Sequence, residues 1–470
     1  MPRRTKIVAT IGPASSSPEQ LVALARAGMD GARLNLSHGT HDEHRERARA
    51  VRAMEAEIGR PIALIADLQG PKLRLRELDG PVTLARGEDI VVTGGESTSD
   101  GDLPVSPAVI GEVLQPGHEV LIDDGLVRLR VETIESGRAR CAVVVGGTVS
   151  SHKGVNLPGV PVPIPSLTRK DMDDLELAME LGVDFIALSF VRSAADVRDL
   201  RALIEQAGSH AHVIAKIEKA EAVDALDAIL AESDAVMVAR GDLGVEIGPA
   251  MVPLLQKRII IAALERGKPV ITATQMLESM VHQAEPTRAE ASDVANAVLD
   301  GSSAMMLSGE TAIGAHPVEA VATMSALALR AESSFREYGH LQNIRSEPTH
   351  VVTEAVSQAA ITMARHLDAA AIITLTESGF TSRAISKYRP DCPILAVTAS
   401  ERVMRKLALN WGVTAVLFEG PRSDETMIAH GIRRGREIGC IEHGDVVVAT
   451  AGVNRRSGST NLIRVVTAED

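Results

Sequence analysis

Short β-branched, apolar runs recur along this chain at intervals of roughly 23 to 35 residues, with helical patterns between them, and that rhythm limits the folds open to it. The runs fall at 6–11, 31–36, 62–67, 184–189, 212–218, 235–239, 269–274 and 303–307, and seven of the eight read as continuous strands buried on both faces. The segments between them carry helix signals. Ser17-Pro18-Glu19 offers an N-cap followed by proline in the first turn, and Thr168 with Asp171 forms a capping box. Gly59, Gly182, Gly208 and Gly267 stand where helices should end. Aromatics make up 2% of residues, so the core must be built from Val, Ile, Leu, Ala and Met, which suits parallel strands covered by helices. Eight strand–helix units in series predict an α/β fold, a (β/α)₈ TIM barrel.

The rhythm breaks once. Between the third and fourth runs lie about a hundred residues of short, partly alternating strands separated by Gly, Asp and Pro. They predict a small antiparallel β domain inserted into the barrel at 72–164, a lid emerging on the catalytic face. The barrel itself then takes residues 1–71 and 165–340. A polar stretch leads to five more strand candidates, read as a C-terminal open α/β domain over 345–470. At 470 residues several cores are expected in any case.

In such a barrel the active site forms where strands end, and strand interiors should be apolar. Nearly every run here ends in a polar group. The ends carry Arg33, Asn35, Ser37 and His38; Asp67, Lys72 and Arg74; Ser189; Lys216 and Glu218; Gly241, Asp242 and Gly244; Thr274; and Ser308 with Glu310. One such residue is ordinarily solvated or salt-bridged. Cations, acids and hydroxyls converging on one rim suit an anionic substrate held with a metal. Glu218 and Asp242 end adjacent strands, so their carboxylates can share an ion, and an all-oxygen site favours Mg²⁺ or Mn²⁺ over zinc. Lys216 lies on the same strand face as Glu218, placed to stabilise charge on a phosphoryl or enolate oxygen. Arg33 offers a planar fork for phosphate. Gly241 and Gly244 would leave backbone N–H groups open to a carboxylate. There is no Walker loop and no glycine loop of the protein-kinase type.

The net charge of −13 argues against a nucleic-acid partner, which needs a basic face. No apolar run approaches the length of a membrane span, and the first residues lack the long apolar region of a signal peptide. Cys141, Cys392 and Cys440 lie far apart without metal-ligand spacing and read as reduced structural thiols. These features predict a cytoplasmic chain.

Eight segments together resemble the pyruvate kinase family: RLNLSHG at 33–39, DLQGPKLR at 67–74, KGVNLP at 153–158, AKIE at 215–218, MVARGDLGVEI at 237–247, TATQMLESM at 272–280, PTRAEASDVANAVLDG at 286–301 and MLSGET at 306–311. The resemblance runs from about residue 5 to residue 466 in the family's order, with the lid in the expected gap. It implies phosphoryl transfer from phosphoenolpyruvate to ADP. Glu218 and Asp242 would hold Mg²⁺, and Lys216 would stabilise the transferring group. Arg33 would contact phosphate, while Thr274, Gly241 and Asp242 would hold the carboxylate, with Ser189 among the substrate contacts. Asn35, His38, Arg74 and Lys153 resemble nucleotide-side residues, and Lys153 comes from the lid. Ser308 and Glu310, with Thr274, match residues implicated in delivering a proton to enolpyruvate. A homotetramer is implied by the resemblance alone.

Two positions refine this. Many family members need K⁺ and carry Glu where this chain has Lys72; Lys72, with Asp67 and Ser37, would supply the charge that K⁺ otherwise brings, so K⁺ is not expected to be required. In the C-terminal domain, Thr376, Glu377, Ser378, Gly379 and Thr381 follow a strand and open a helix, a geometry that captures phosphate. They resemble the family's effector loop, with Arg455 and Arg456 in the companion loop. Glu377 should oppose a heavily charged ligand, so the expected activator is a monophosphorylated sugar or nucleotide rather than fructose 1,6-bisphosphate. The competing readings are a metal-dependent barrel of the aldolase or lyase kind that forms pyruvate enolates, and a catalytically dead regulatory relative.

Overall fold

The computed structural model describes residues 2–95, 102–339, 350–452 and 458–469. Eight strands, Lys6–Thr10, Gly31–Asn35, Ala63–Asp67, Phe185–Leu188, His212–Ile217, Ala235–Ala239, Val270–Ala273 and Ala304–Leu307, close into one all-parallel barrel. Each pairs with its neighbours in chain order, and the last returns to the first through Lys6 opposite Ala304. The sequence placed every one of them to within a residue or two. Such strands are buried on both faces, which is why they read as unbroken apolar runs. One set of side chains, including Val8, Ile65, Ala187, Ile214 and Met237, fills the barrel interior. The alternate set packs against the outer helices.

The helix boundaries follow local chemistry. Ser17 accepts from the N–H of Gln20 ahead of Pro18–Ala27, and Thr168 with Asp171 closes a capping box ahead of Arg169–Glu180. Gly59 ends His41–Ile58 in the left-handed conformation, φ +64°, where a side chain would be strained.

The insertion is itself a closed barrel of seven strands: Leu73–Leu75, Asp89–Gly94, Leu103–Ser106, Glu119–Ile122, Val127–Glu135, Arg138–Val145 and Gly154–Asn156. The expectation of a purely antiparallel domain needs correction, because Asp89–Gly94 and Leu103–Ser106 pair in parallel. Leu103–Ser106, Gly147–Val149 and Gly154–Asn156 were not foreseen. Each has only three or four residues and includes Pro or Gly, so no alternation can build up.

In the C-terminal sheet four parallel strands, Val413–Leu417, Ile394–Thr398, Ala371–Leu375 and Val446–Ala451, are followed by Leu462–Thr467, antiparallel at the edge. This domain closes the bottom of the first barrel. Ala408 and Leu409 join the barrel's interior core, and the Lys6 ammonium donates to the Val413 carbonyl at 2.8 Å. Among the described residues no helix is long and apolar enough to cross a membrane. The three thiols are unpaired, and burial pushes Cys141 up to about 12 and Cys392 up to about 11.

Candidate active site

The inward-facing set of the barrel turns from apolar to polar at the strand C-termini. Thr10 continues the line of Val8, Asp67 that of Ile65, Ser189 that of Ala187, and Lys216 that of Ile214. These side chains form one network. Lys216 Nζ lies 3.0 Å from Glu218 Oε1 and 3.2 Å from Asp67 Oδ1, and donates to Ser189 Oγ at 2.7 Å. Arg33 Nε donates to Asp67 Oδ2 at 2.6 Å, and Arg33 Nη1 to Thr10 Oγ1 at 3.0 Å. Burial works against the charge on each of these groups, and the partners decide the outcome. Lys216 and Arg33 hold Asp67 below the usual carboxylate range, and Asp67 and Glu218 hold Lys216 above the ordinary ammonium value.

Glu218 behaves differently. Burial raises its carboxyl, Lys216 opposes that, and Asp242 on the neighbouring strand's end raises it further. Two carboxylates that repel in this way form a place where a divalent cation is favoured. The donor set fits Mg²⁺ or Mn²⁺, since both groups are hard oxygen ligands. Among the described residues no cluster of three His, Cys, Asp or Glu offers a metal site made by protein alone. The N–H of Phe190, at φ +53°, donates to Glu218 Oε2 at 2.7 Å and fixes that carboxylate. Asp242 is met by Lys72, Nζ to Oδ1 3.6 Å.

The carboxylate-binding group is built otherwise than the sequence suggested. Gly241 does not present an open N–H: Arg240–Ile247 is helical, and the first-turn N–H of Gly241 donates to Thr274 Oγ1 at 2.8 Å. A first-turn N–H has no intrahelical acceptor, and the Thr274 hydroxyl takes that place. Thr274 and Gln275 sit at φ +68° and +52°. Arg240, the first residue after the sixth barrel strand, holds this turn. It donates to the carbonyls of Ala273, Thr274 and Gln275 and pairs with Asp293 at 2.8 Å. An Arg directly after a strand, ahead of two loops that must meet, was the signal for it.

Glu310 is fully buried, and its oxygens accept from the N–H groups of Leu277 (3.1 Å) and Ser308 (2.7 Å). Burial nevertheless raises its carboxyl above the ordinary value. Asn35 Oδ1 accepts from the N–H of Ser37 at 3.2 Å, and Arg74 donates to the His152 carbonyl at 3.0 Å. Partial burial lowers the His38 pKa, and Arg74, Arg33 and Lys72 lower it further, so cations gather here in a chain of net charge −13. Lys153 pairs with Asp123 inside the lid at 2.9 Å, a partner the sequence did not suggest.

The same arrangement of barrel, inserted β domain and C-terminal sheet occurs in proteins of known family. Residues 2–321 match the family description "Pyruvate kinase, barrel domain", and residues 354–466 match "Pyruvate kinase, alpha/beta domain". The chain belongs to the pyruvate kinase family. It is accordingly an enzyme, a phosphotransferase. Pyruvate kinase from Sporosarcina psychrophila is 45% identical over 469 residues, 98% of this chain and 80% of that protein. The Clostridium acetobutylicum pyruvate kinase is 42% identical, with 99% of this chain and all of the relative aligned. The crystal structure of a pyruvate kinase from Cryptosporidium parvum superposes with a TM-score of 0.94 at 38% identity, covering 99% of this chain and 96% of that one. Matches of this extent leave the aldolase or lyase reading without support.

In the C-terminal domain of this pyruvate kinase family member, the Thr376–Thr381 loop borders a shallow pocket. Gly379 is left-handed, and its N–H donates to Thr376 Oγ1 at 2.8 Å. Glu377 lines the pocket with Asp424, and Arg422 approaches Glu377 at 3.8 Å. Arg455 and Arg456 lie outside the described residues.

Proposed function

We propose that this enzyme transfers the phosphoryl group of phosphoenolpyruvate to ADP, giving pyruvate and ATP, with Mg²⁺ or Mn²⁺ held by Glu218 and Asp242. The observation that carries this reading is the placement of Lys216: a half-buried ammonium between Asp67 and Glu218, beside Arg33, at the mouth of the barrel. Phosphoryl transfer asks for positioning and charge neutralisation more than for covalent chemistry. When bound, the divalent ion supplies positive charge to the phosphate and carboxylate of the substrate. Arg33 and Lys216 take the phosphoryl oxygens, and Lys216 also faces the oxygen that becomes the enolate. Thr274 and the backbone at Asp242 orient the carboxylate, with Ser189 beside them. Asn35, His38 and Arg74 take the nucleotide side, and closure of the lid brings Lys153 over the site and excludes water. Ser308 and Glu310 act in proton delivery to enolpyruvate, supported by the raised carboxyl of Glu310.

The reaction proceeds without K⁺, because the Lys72 ammonium, which faces Asp242 at 3.6 Å, supplies the positive charge that K⁺ would otherwise bring. A monophosphorylated sugar or nucleotide bound at Thr376–Thr381 activates, and the acids Glu377 and Asp424 in that pocket disfavour a bisphosphate. The working form is a cytoplasmic homotetramer. The test is pyruvate formation from phosphoenolpyruvate and ADP with Mg²⁺, in tetramethylammonium buffer and again with KCl. Full turnover in both buffers is expected. Turnover only with KCl would remove the part given to Lys72, and no turnover in either buffer would restore the dead relative.

A further inference from the structure

The lid is an insertion, so one entering and one returning connection carry it, and both end on the same side chain. Entry runs through Gly70-Pro71-Lys72 and return through Ser166-Leu167-Thr168. Asp171, in the first turn of Arg169–Glu180, accepts from the Gly70 N–H on Oδ1 at 3.0 Å. Its Oδ2 accepts from the N–H and the hydroxyl of Thr168 at 2.8 and 2.6 Å. Gly70 lies 101 positions away in the chain. The carboxylate is fully buried, and these neutral donors replace the water it has lost. A capping box by itself asks for one oxygen of the acid. Glu43, in the box opened by Thr40, accepts from its own cap residue at 2.8 Å and stays half exposed. Asp171 adds a bond that its helix does not need. Gly70, which receives it, is seated against the active site. Its φ is +70°, and a Cβ there would meet Ser189 Cβ and Phe190 Cδ2 at 2.9 Å. Ser189 accepts from Lys216, and the N–H of Phe190 donates to Glu218. The Gly70 carbonyl accepts from the N–H of Lys72 at 3.0 Å, in the turn from which Lys72 reaches Asp242.

We infer that Asp171 is the positioning residue of the lid hinge. One carboxylate pins both connections to the barrel, so the lid turns about a shared anchor. That anchor fixes where Lys72 stands and, through the lid, where Lys153 arrives on closure. The consequence for turnover rests on the activity proposed above, whereas the anchoring is read without it.

The test is hydrogen exchange of the full chain, free of substrates, read by mass spectrometry over segments 68–75 and 164–172, with pyruvate formation measured alongside. Asp171→Asn keeps the shape of the side chain but puts a donor where an acceptor stood. Thr168→Val removes the cap hydroxyl and leaves the bond to Gly70 in place. In Asp171→Asn, exchange should rise by about tenfold in both segments. Its kcat should fall by about tenfold as the lid closes out of place. Thr168→Val should speed exchange over 164–172 alone, with kcat near wild type. Faster exchange over 164–172 alone in Asp171→Asn, or a kcat in that variant equal to that of an active wild type, would make Asp171 a helix cap and overturn the inference. A wild type without turnover would defeat the proposed activity, and exchange would still decide the anchor. Should Asp171→Asn fail to fold, the wild-type chain decides. One anchor releases the Gly70 and Thr168 amides at a common rate, and unrelated rates would overturn it.

Discussion

Lys72 places an ammonium 3.6 Å from Asp242 Oδ1, in the stretch that also supplies Asp67 to the ion network of Arg33 and Lys216. A fixed cation at that position attracts the same anions that a bound K⁺ would, and it repels K⁺ itself. Lys72→Glu should therefore convert the enzyme to K⁺ dependence. Turnover in tetramethylammonium buffer is expected to fall by about 10- to 100-fold, and added KCl should restore most of it. A variant equally impaired with and without KCl would mean that Lys72 serves Asp242 in some other way. Much of this site was legible at the level of single residues, because a charge at the end of a buried strand has no packing reason to be there. Lys216, Glu218 and Asp242 stood out for that reason. The partner each charge takes was not legible. That Lys72 turns to Asp242 and Lys153 to Asp123 depends on how chains far apart in sequence approach, and no local pattern encodes it.

The loop after the seventh barrel strand shows the same limit at the scale of an element. Thr274 is β-branched and sits at φ +68°, a conformation that costs energy and persists only when the surroundings impose it. Arg240 imposes it by gathering the carbonyls of Ala273, Thr274 and Gln275 while Asp293 neutralises its charge. A lysine gathers its donors on one nitrogen and lacks the planar fork that spans these carbonyls and Asp293 together. Arg240→Lys is expected to lower kcat/KM by about 10- to 100-fold through misplacement of Thr274. KM for phosphoenolpyruvate should rise and the melting temperature should move little. A large loss of stability with normal KM in the surviving enzyme would make Arg240 a structural residue only. The sequence offered no glycine to flag this turn. The barrel strands, in contrast, were readable because eight buried runs repeat one pattern, whereas Gly147–Val149 and Gly154–Asn156 in the lid are too short to carry any period.

At the scale of the whole molecule, the C-terminal domain completes the barrel it follows. Leu409 is fully buried inside it, and a side chain at Gly31 would meet Leu409 Cδ2 at 3.1 Å. Leu409→Ala should cost about 2 to 5 kcal/mol by leaving a cavity, with kcat within about twofold of wild type, as urea unfolding and turnover would show. Nothing in Ala408-Leu409-Asn410 announces this, since an apolar pair at a helix end is ordinary. The same junction carries a pH sensitivity. His212 opens the fifth barrel strand and packs edge-on against Phe185, ring centroids 5.7 Å apart. Burial lowers its pKa to about 3; Asp234 opposes that, while Lys406 and Arg383 from the C-terminal domain and Arg201 from the barrel add to it. The imidazole is thus neutral in the folded chain, whereas in the unfolded chain it takes up a proton near the ordinary value of 6.5. The unfolded state then binds more protons below that value, so stability falls as pH drops from about 6.5 towards 3. From pH 7.5 to 5 this one group would remove up to about 2 kcal/mol. His212→Gln keeps a polar side chain of similar reach without the titration. Its urea midpoint should decline less over that range than the wild-type midpoint, while parallel declines would place the acid sensitivity in other groups.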